Sequence, residues 1–255
     1  MDSLVAGPSL LAAFEWHAEI GSTNQRCLEL AAQGRAEGTV VAADVQTAGR
    51  GRHGRSWVAP AGTSLMASVL LRPRVPAPAR QLLPLLAGLA LAEVVERHVP
   101  GAPVALKWPN DLLVAGRKAA GILVEADGGG ATAVGIGLNV DWRGVERPPE
   151  LAGATSLAEE AGGPVDRWRV FAGLVGVLGN RYADWQEEPT GFLDAYRRRC
   201  ATLGLLVRVS LVEGRAVEGQ AVAVGTSGAL EVRVDSGEVA ALTAGDVEHL
   251  RRVDG

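Results

Sequence analysis

The amino-acid sequence predicts an α+β protein built in two unequal parts, and three observations carry that reading. Stretches of helical period and stretches that alternate like strands are mixed up to about residue 203. Beyond it come short β-rich runs, closely spaced between Gly-containing turns, which predict a small barrel. The chain has 255 residues and is 47% hydrophobic, enough to bury a sizeable core. Residues 1–203 and 204–255 are therefore expected to be separate domains.

Ser22-Thr23-Asn24-Gln25 precedes the helical pattern Cys27, Leu28, Leu30, Ala31, and Ser22 with Gln25 has the spacing of a capping box; Gly34 would end that helix. Residues 38–46 alternate, with Val41, Ala43 and Val45 on one face and Asp44 and Gln46 on the other, so a strand delivers Gln46 to the loop that follows. Residues 64–72 read as a second strand and 79–99 as a buried helix with a kink at Pro84. A hairpin follows, from 112–114 through the turn Ala115-Gly116-Arg117 to 118–125, then a strand at 133–139. Amphipathic helices fit 165–187 and 192–203. The β-rich runs are 207–211, 216–224, 230–234 and 239–242, separated by Glu213-Gly214, Ser227-Gly228 and Ser236-Gly237.

No uninterrupted apolar run reaches the roughly 18 residues of a membrane helix, since residues 82–92 contain Pro84 and Gly88. Met1-Asp2-Ser3-Leu4 lacks the basic and apolar regions of a signal peptide. The two cysteines, Cys27 and Cys200, each fall in a helical segment and read as reduced core residues of a cytoplasmic protein.

The most informative stretch is Gly49-Arg50-Gly51-Arg52-His53-Gly54-Arg55-Ser56-Trp57. No Asp or Glu occurs between Asp44 and Glu93, although the net charge of the whole chain is -4, so this local reversal of sign points to an anionic ligand. The glycines spell the dinucleotide fingerprint, but that motif needs a helix opening within it and an acidic residue about 20 positions on. Here it runs into a turn-rich stretch. Nucleic-acid binding fits poorly with an acidic chain. Three glycines raise the entropy of ordering and three arginines repel, which predicts a loop without order of its own until an anion arrives.

Lys107-Trp108-Pro109-Asn110-Asp111 and Lys118-Ala119-Ala120-Gly121-Ile122-Leu123 form a second constellation. Asn110 and Asp111 suit either a metal-nucleotide site or a turn bonding its own backbone. Lys118, opening an apolar strand, must snorkel or meet an anion. Gly121 suits either close approach of a ligand or a bulge.

Together with Ser22-Thr23-Asn24, Gln46 and Gly135-Ile136-Gly137-Leu138-Asn139, these motifs in this order resemble the catalytic core of biotin protein ligases over most of the chain. One departure is His53, where relatives often carry another arginine, which puts that position's role in doubt. The resemblance implies a core related to class II aminoacyl-tRNA synthetases, with helices on one face of the sheet, and an SH3-like C-terminal barrel. It implies ATP- and Mg2+-dependent formation of biotinyl-5′-AMP, then transfer of biotin to a lysine of a biotin carboxyl carrier protein domain. Ser22, Thr23, Asn24 and Gln46 would bond the ureido head of biotin. Arg50, Gly51, Arg52, Lys118 and Gly121 would complete the biotin site, with Arg52 and Lys118 acting on developing charge. Arg52, Arg55, Trp57, Asn110, Asp111 and Asn139 would serve the nucleotide, and Asp111 the metal. A lipoate or octanoate ligase is the rival within the same fold, but a fatty acyl chain would leave the polar head set unpaired. His17, His98 and His249 lie in no motif and read as structural. The stretch before Ser22 is too short for a winged helix, so no specific DNA binding is expected.

Overall fold

The computed structural model describes residues 10–211 and 214–250. The N-terminal residues read against a signal peptide lie outside these, as does Glu213 of one expected turn. The larger part is a seven-stranded sheet. Its strands are β1 (Ala13–Ile20), β2 (Thr39–Gln46), β3 (Ser64–Leu71), β4 (Val104–Lys107), β5 (Asp111–Val114), β6 (Arg117–Ala126) and β7 (Thr132–Asn139), in the spatial order β1-β2-β3-β7-β6-β5-β4. Only β1 and β2 run parallel.

Helices cover both faces, against the expectation of one. Helix α1 (Thr23–Ala32) places Cys27, Leu30 and Ala31 on Val41, Leu70 and Ala133. Helices α2 (Leu83–Val95) and α4 (Arg167–Glu187) lie on the opposite face, over Val40, Val69, Val134, Ile136 and Leu138. Strand β2 is buried on both faces from Thr39 to Ala43, which is why simple alternation does not describe it. Two short helices, α3 (Leu157–Glu160) and α5 (Leu193–Arg199), complete the part; α5 is shorter than its periodicity suggested.

Pro84 does not kink a long helix. Residues Ala77–Leu82 form a 3-10 turn, and Pro84 sits in the first turn of α2, where its missing N–H leaves no bond unmade. The stretch Ala77–Val95, with hydropathy 1.3, passes for a membrane span by length and composition, yet 67% of it is buried inside the fold. It is a core helix. Leu86 and Leu89 are fully buried, so truncating either to Ala would cost about 2–5 kcal/mol.

Ser22 caps α1 by accepting from the Gln25 N–H at 3.5 Å, while the Gln25 side chain turns to Glu29 and leaves the capping box half made. Helix α4 begins at Arg167, because Asp166 accepts from the N–H groups of Trp168 and Arg169. The hairpin turn is Ala115-Gly116, both at positive φ, and Arg117 already belongs to β6.

The C-terminal sheet comprises β8 (Leu206–Ser210), β9 (Ala216–Val224), β10 (Leu230–Arg233), β11 (Val239–Leu242) and β12 (Asp246–His249), ordered β11-β10-β9-β8-β12. Every pairing is antiparallel and none joins β11 to β12 among the described residues, so no closed barrel forms. The sheet must nonetheless curl. Residues 243–245 alone connect its two edges and reach about 15 Å, whereas a flat five-stranded sheet would hold its edges about 19 Å apart. Its inner residues Val207, Val209, Leu230 and Val232 share one hydrophobic core with the larger sheet.

Candidate active site

A cleft opens on the face of the large sheet that carries α1. It is lined by Ser22, Thr23, Asn24, Gln46, Arg50, Gly51, Arg52, Arg55, Trp57, Asn110, Lys118 and Gly121, residues spread over about a hundred positions of sequence. The fold therefore brings together nearly all the candidates named above. Asp111 and Asn139 do not line it.

The floor is built on glycines of facing strands, Gly121 being the register partner of Gly137 and Gly135 that of Leu123. A Cβ on Gly135 would fall within bonding range of Asn24 Oδ1, so only glycine lets that amide lie flat on the sheet. The same holds at Gly137 beneath the ring of Trp57.

Asn24 and Thr23 are only 4% exposed and are wired into this floor. Asn24 Nδ2 donates to Leu123 O at 3.1 Å and to Glu125 Oε2 at 2.7 Å, and Asn24 Oδ1 accepts from Ser68 Oγ at 2.7 Å. Thr23 N and Oγ1 both donate to Gln46 Oε1, at 2.8 and 3.1 Å. Ser68 and Glu125 escaped the sequence reading; their only signal is a polar side chain on the site-facing parity of an otherwise apolar strand.

Lys118 reaches the cleft through a register shift. Leu112 pairs with Ala120 and Leu113 with Lys118, leaving Ala119 as an extra residue in β6. Were residue 119 paired in regular alternation, Lys118 would share the core face of Ala120 and Ile122; with 119 bulged out, Lys118 joins Gly121 and Asp111 on the site face. The bulge is thus at Ala119, and Gly121 keeps regular pairing. Lys118 Nζ sits 2.7 Å from Asp111 Oδ1 and 5.9 Å from the Trp57 ring centroid.

In this conformation the arginine loop is a folded turn. Arg50 bridges to Ser56, Gly51 N donates to Arg55 O at 2.7 Å, and Trp57 N donates to Gly49 O at 3.0 Å. Its charges are met from distant sequence. Arg50 lies 3.2 Å from Glu125 Oε1, and Arg55 lies 2.5 Å from Asp246 Oδ1. Arg52 donates to Gly245 O at 3.1 Å and to Asn110 Oδ1 at 3.5 Å. Burial lowers the pKa of Arg52, opposed chiefly by the charge of Asp246.

Lys107 belongs with these cations although the sequence reading left it out of the site. Burial lowers its pKa, partly offset by Asp111, its register partner across β4 and β5. Asn139 is 2% exposed and donates to Thr155 O at 2.9 Å, while its Oδ1 is buried without a partner; Trp57 Nε1 is likewise unpartnered.

Residues 16–141 match the Biotin/lipoate A/B protein ligase family, and 202–250 match the biotin protein ligase C-terminal domain. A biotin–acetyl-CoA-carboxylase ligase of Mycobacterium tuberculosis is 39% identical over 254 residues, covering 98% of this chain and 94% of that protein. The chain belongs to the biotin protein ligase family. Among solved structures, the biotin protein ligase of Aquifex aeolicus in complex with biotin and ATP superposes with a TM-score of 0.82 at 30% identity, over 94% of this chain and 100% of that one. The Leishmania major biotin protein ligase in complex with biotinyl-5-AMP gives 0.63 at 26% identity, over 91% and 99%.

Among the described residues of this biotin protein ligase family member, no group of three acidic, His or Cys side chains could hold a metal ion. Asp111, expected as a metal ligand, is paired with Lys118. Cys27 and Cys200 are free and buried, and burial raises both thiol pKa values, that of Cys27 to about 12.

Proposed function

We propose that this protein activates biotin with ATP to biotinyl-5′-AMP and then transfers biotin to a lysine of the biotin carboxyl carrier domain of an acyl-CoA carboxylase. One observation carries the reading: a single cleft joins a neutral, hydrogen-bonding floor to a mouth of three arginines and a lysine. That division matches a ligand with an uncharged polar head and a carboxylate tail.

The inventory of free valences sets the roles. Both donors of Asn24 are engaged, so its remaining capacity is to accept a ureido N–H through Oδ1. Gln46 Oε1 is taken by Thr23, which leaves Nε2 to donate, with the Ser22 hydroxyl, to the ureido carbonyl. Gly51 and Gly121 let the ligand lie against backbone. Arg50 and Arg52 draw the biotin carboxylate and the α-phosphate together, two anions that otherwise repel. A carboxylate oxygen then attacks the α-phosphorus, the bond to the β-phosphate oxygen breaks, and pyrophosphate leaves with that electron pair. Lys118 stabilises charge developing on the carboxyl and phosphoryl oxygens. In the second step a neutral carrier lysine attacks the carbonyl carbon, loses a proton, and displaces AMP.

Trp57 stacks on adenine once it moves off Gly137, and the unpartnered Asn139 Oδ1, on the same face of β7, accepts from the adenine amino group. Arg55, Asn110 and Asp111 flank the triphosphate, with Lys107 behind them. Mg2+ would be held chiefly by the triphosphate, with Asp111 as the protein's candidate carboxylate, and would supply neutralisation of the phosphate charge. The core is of the class II synthetase type, and the curled C-terminal sheet of the SH3 type, so that 1–203 and 204–255 form the two domains. Two buried free thiols suit the cytoplasm.

Incubation with ATP, Mg2+ and biotin should yield biotinyl-adenylate by mass spectrometry and one equivalent of pyrophosphate. Lipoyl-adenylate formed from lipoate at comparable efficiency would defeat the assignment of the head pocket.

A further inference from the structure

Glu125 stands where the floor of the cleft meets the arginine loop. Its Oε2 accepts from Asn24 Nδ2 at 2.7 Å, and its Oε1 faces Arg50 Nη1 at 3.2 Å. The two sides differ in kind. Asn24 lies against Gly135 and Ser68 and is 4% exposed, so breaking its bond would strand a buried amide. The Arg50 side chain is 45% exposed and that of Glu125 is 25% exposed, so their pairing is weak and exchangeable. One oxygen is anchored while the other is on offer to the loop.

We propose that Glu125 is a positioning residue that stands in for the ligand carboxylate, holding Arg50 at the mouth of the cleft until an anion displaces it. This rests on the biotin reading given above. A neutral molecule that fits the floor has no charge with which to draw Arg50 away, so Glu125 makes capture of Arg50 conditional on a carboxylate. It also keeps the loop's charge compensated meanwhile. Without such a partner Arg50 would sit beside Arg52 and Arg55 with only solvent to screen it.

Glu125→Gln separates the two contacts, because the amide oxygen still accepts from Asn24 while the amide nitrogen offers Arg50 no countercharge. Biotin and its neutral alcohol analogue are titrated calorimetrically into wild type, Glu125→Gln, Arg50→Gln and the double variant. The expected result is biotin binding tightened about 2- to 5-fold in Glu125→Gln, the span of one exposed ion pair no longer competing. Binding of the alcohol should stay unchanged, and the gain should vanish in the Arg50→Gln background. Weaker or unaltered biotin binding, an equal gain for both ligands, or a gain that survives without Arg50 would overturn the role. Should Glu125→Gln not fold, Glu125→Asn is titrated in its place, with the same expected gain for biotin alone and the same results refuting the proposal. A folded wild type that binds neither ligand overturns the biotin reading itself.

Discussion

The floor of the cleft and the loop above it are held together by opposite means. In the floor, Thr23, Asn24, Gln46 and Ser68 satisfy one another over distances of 2.7–3.1 Å, almost out of reach of water. In the loop, Arg50 and Arg55 are 45% and 61% exposed and lean on single acidic partners. Neutral recognition is preorganised, whereas charged recognition is borrowed from contacts that a ligand can replace. The difference teaches that a site meant to close on an anion needs weak bonds where it moves and strong ones where it reads shape.

The largest test falls on the group assigned to the chemistry itself. Lys118→Ala should reduce adenylate formation about 100-fold, the scale of one electrostatic contact in a closed site. Among the described residues its charged partner is Asp111, so the floor's own hydrogen bonds should survive the change, and pyrophosphate release in parallel with calorimetry separates chemistry from biotin binding. Near-normal turnover would sink the assignment.

A smaller effect sharpens the contrast between the regions. Gly135→Ala drives a methyl into Asn24 Oδ1 and should cost about 1–3 kcal/mol of stability together with biotin affinity. In the loop, Gly51→Ala meets nothing nearer than 3.4 Å and should leave the urea midpoint nearly unmoved. Equal sensitivity at both positions would dissolve the distinction between rigid floor and yielding loop.

The smallest effect concerns the C-terminal sheet. Asp246→Asn removes the partner of Arg55, an exposed pair, and should shift stability by no more than about 1 kcal/mol. Trypsin cleavage after Arg55 should accelerate, and in the wild type added salt should produce part of the same acceleration. Unchanged cleavage would show that the loop is held without Asp246, by its other contacts such as Gly245 O on Arg52.

Much of the site was legible because its chemistry is local. Arg50, Arg52, Trp57, Asn110, Lys118 and Gly121 each stand in a short motif, and the fold brings these to one cleft. Their countercharges were not legible. The window from Asp44 to Glu93 holds no acid, and the loop looked unpaired, yet Glu125 and Asp246 arrive from strands 75 and 191 positions away in sequence from Arg50 and Arg55. Strand β1 was missed although Phe14, Trp16, Ala18 and Ile20 alternate with Glu15, His17 and Glu19; it is an edge strand that leaves Phe14 and Trp16 about half exposed. Strands β4 and β12, four residues each, were missed as well; β12 has a single apolar residue, Val247.

The extra residue at Ala119 makes the side to which Lys118 points a matter of parity. In an even-paired ladder the lysine would face α2 and bury its charge among leucines; one odd residue turns it to the cleft. Any change that drew residue 119 back into regular pairing would conserve every motif residue on either side and still invert the lysine, so this strand carries its function in its register as well as in its letters.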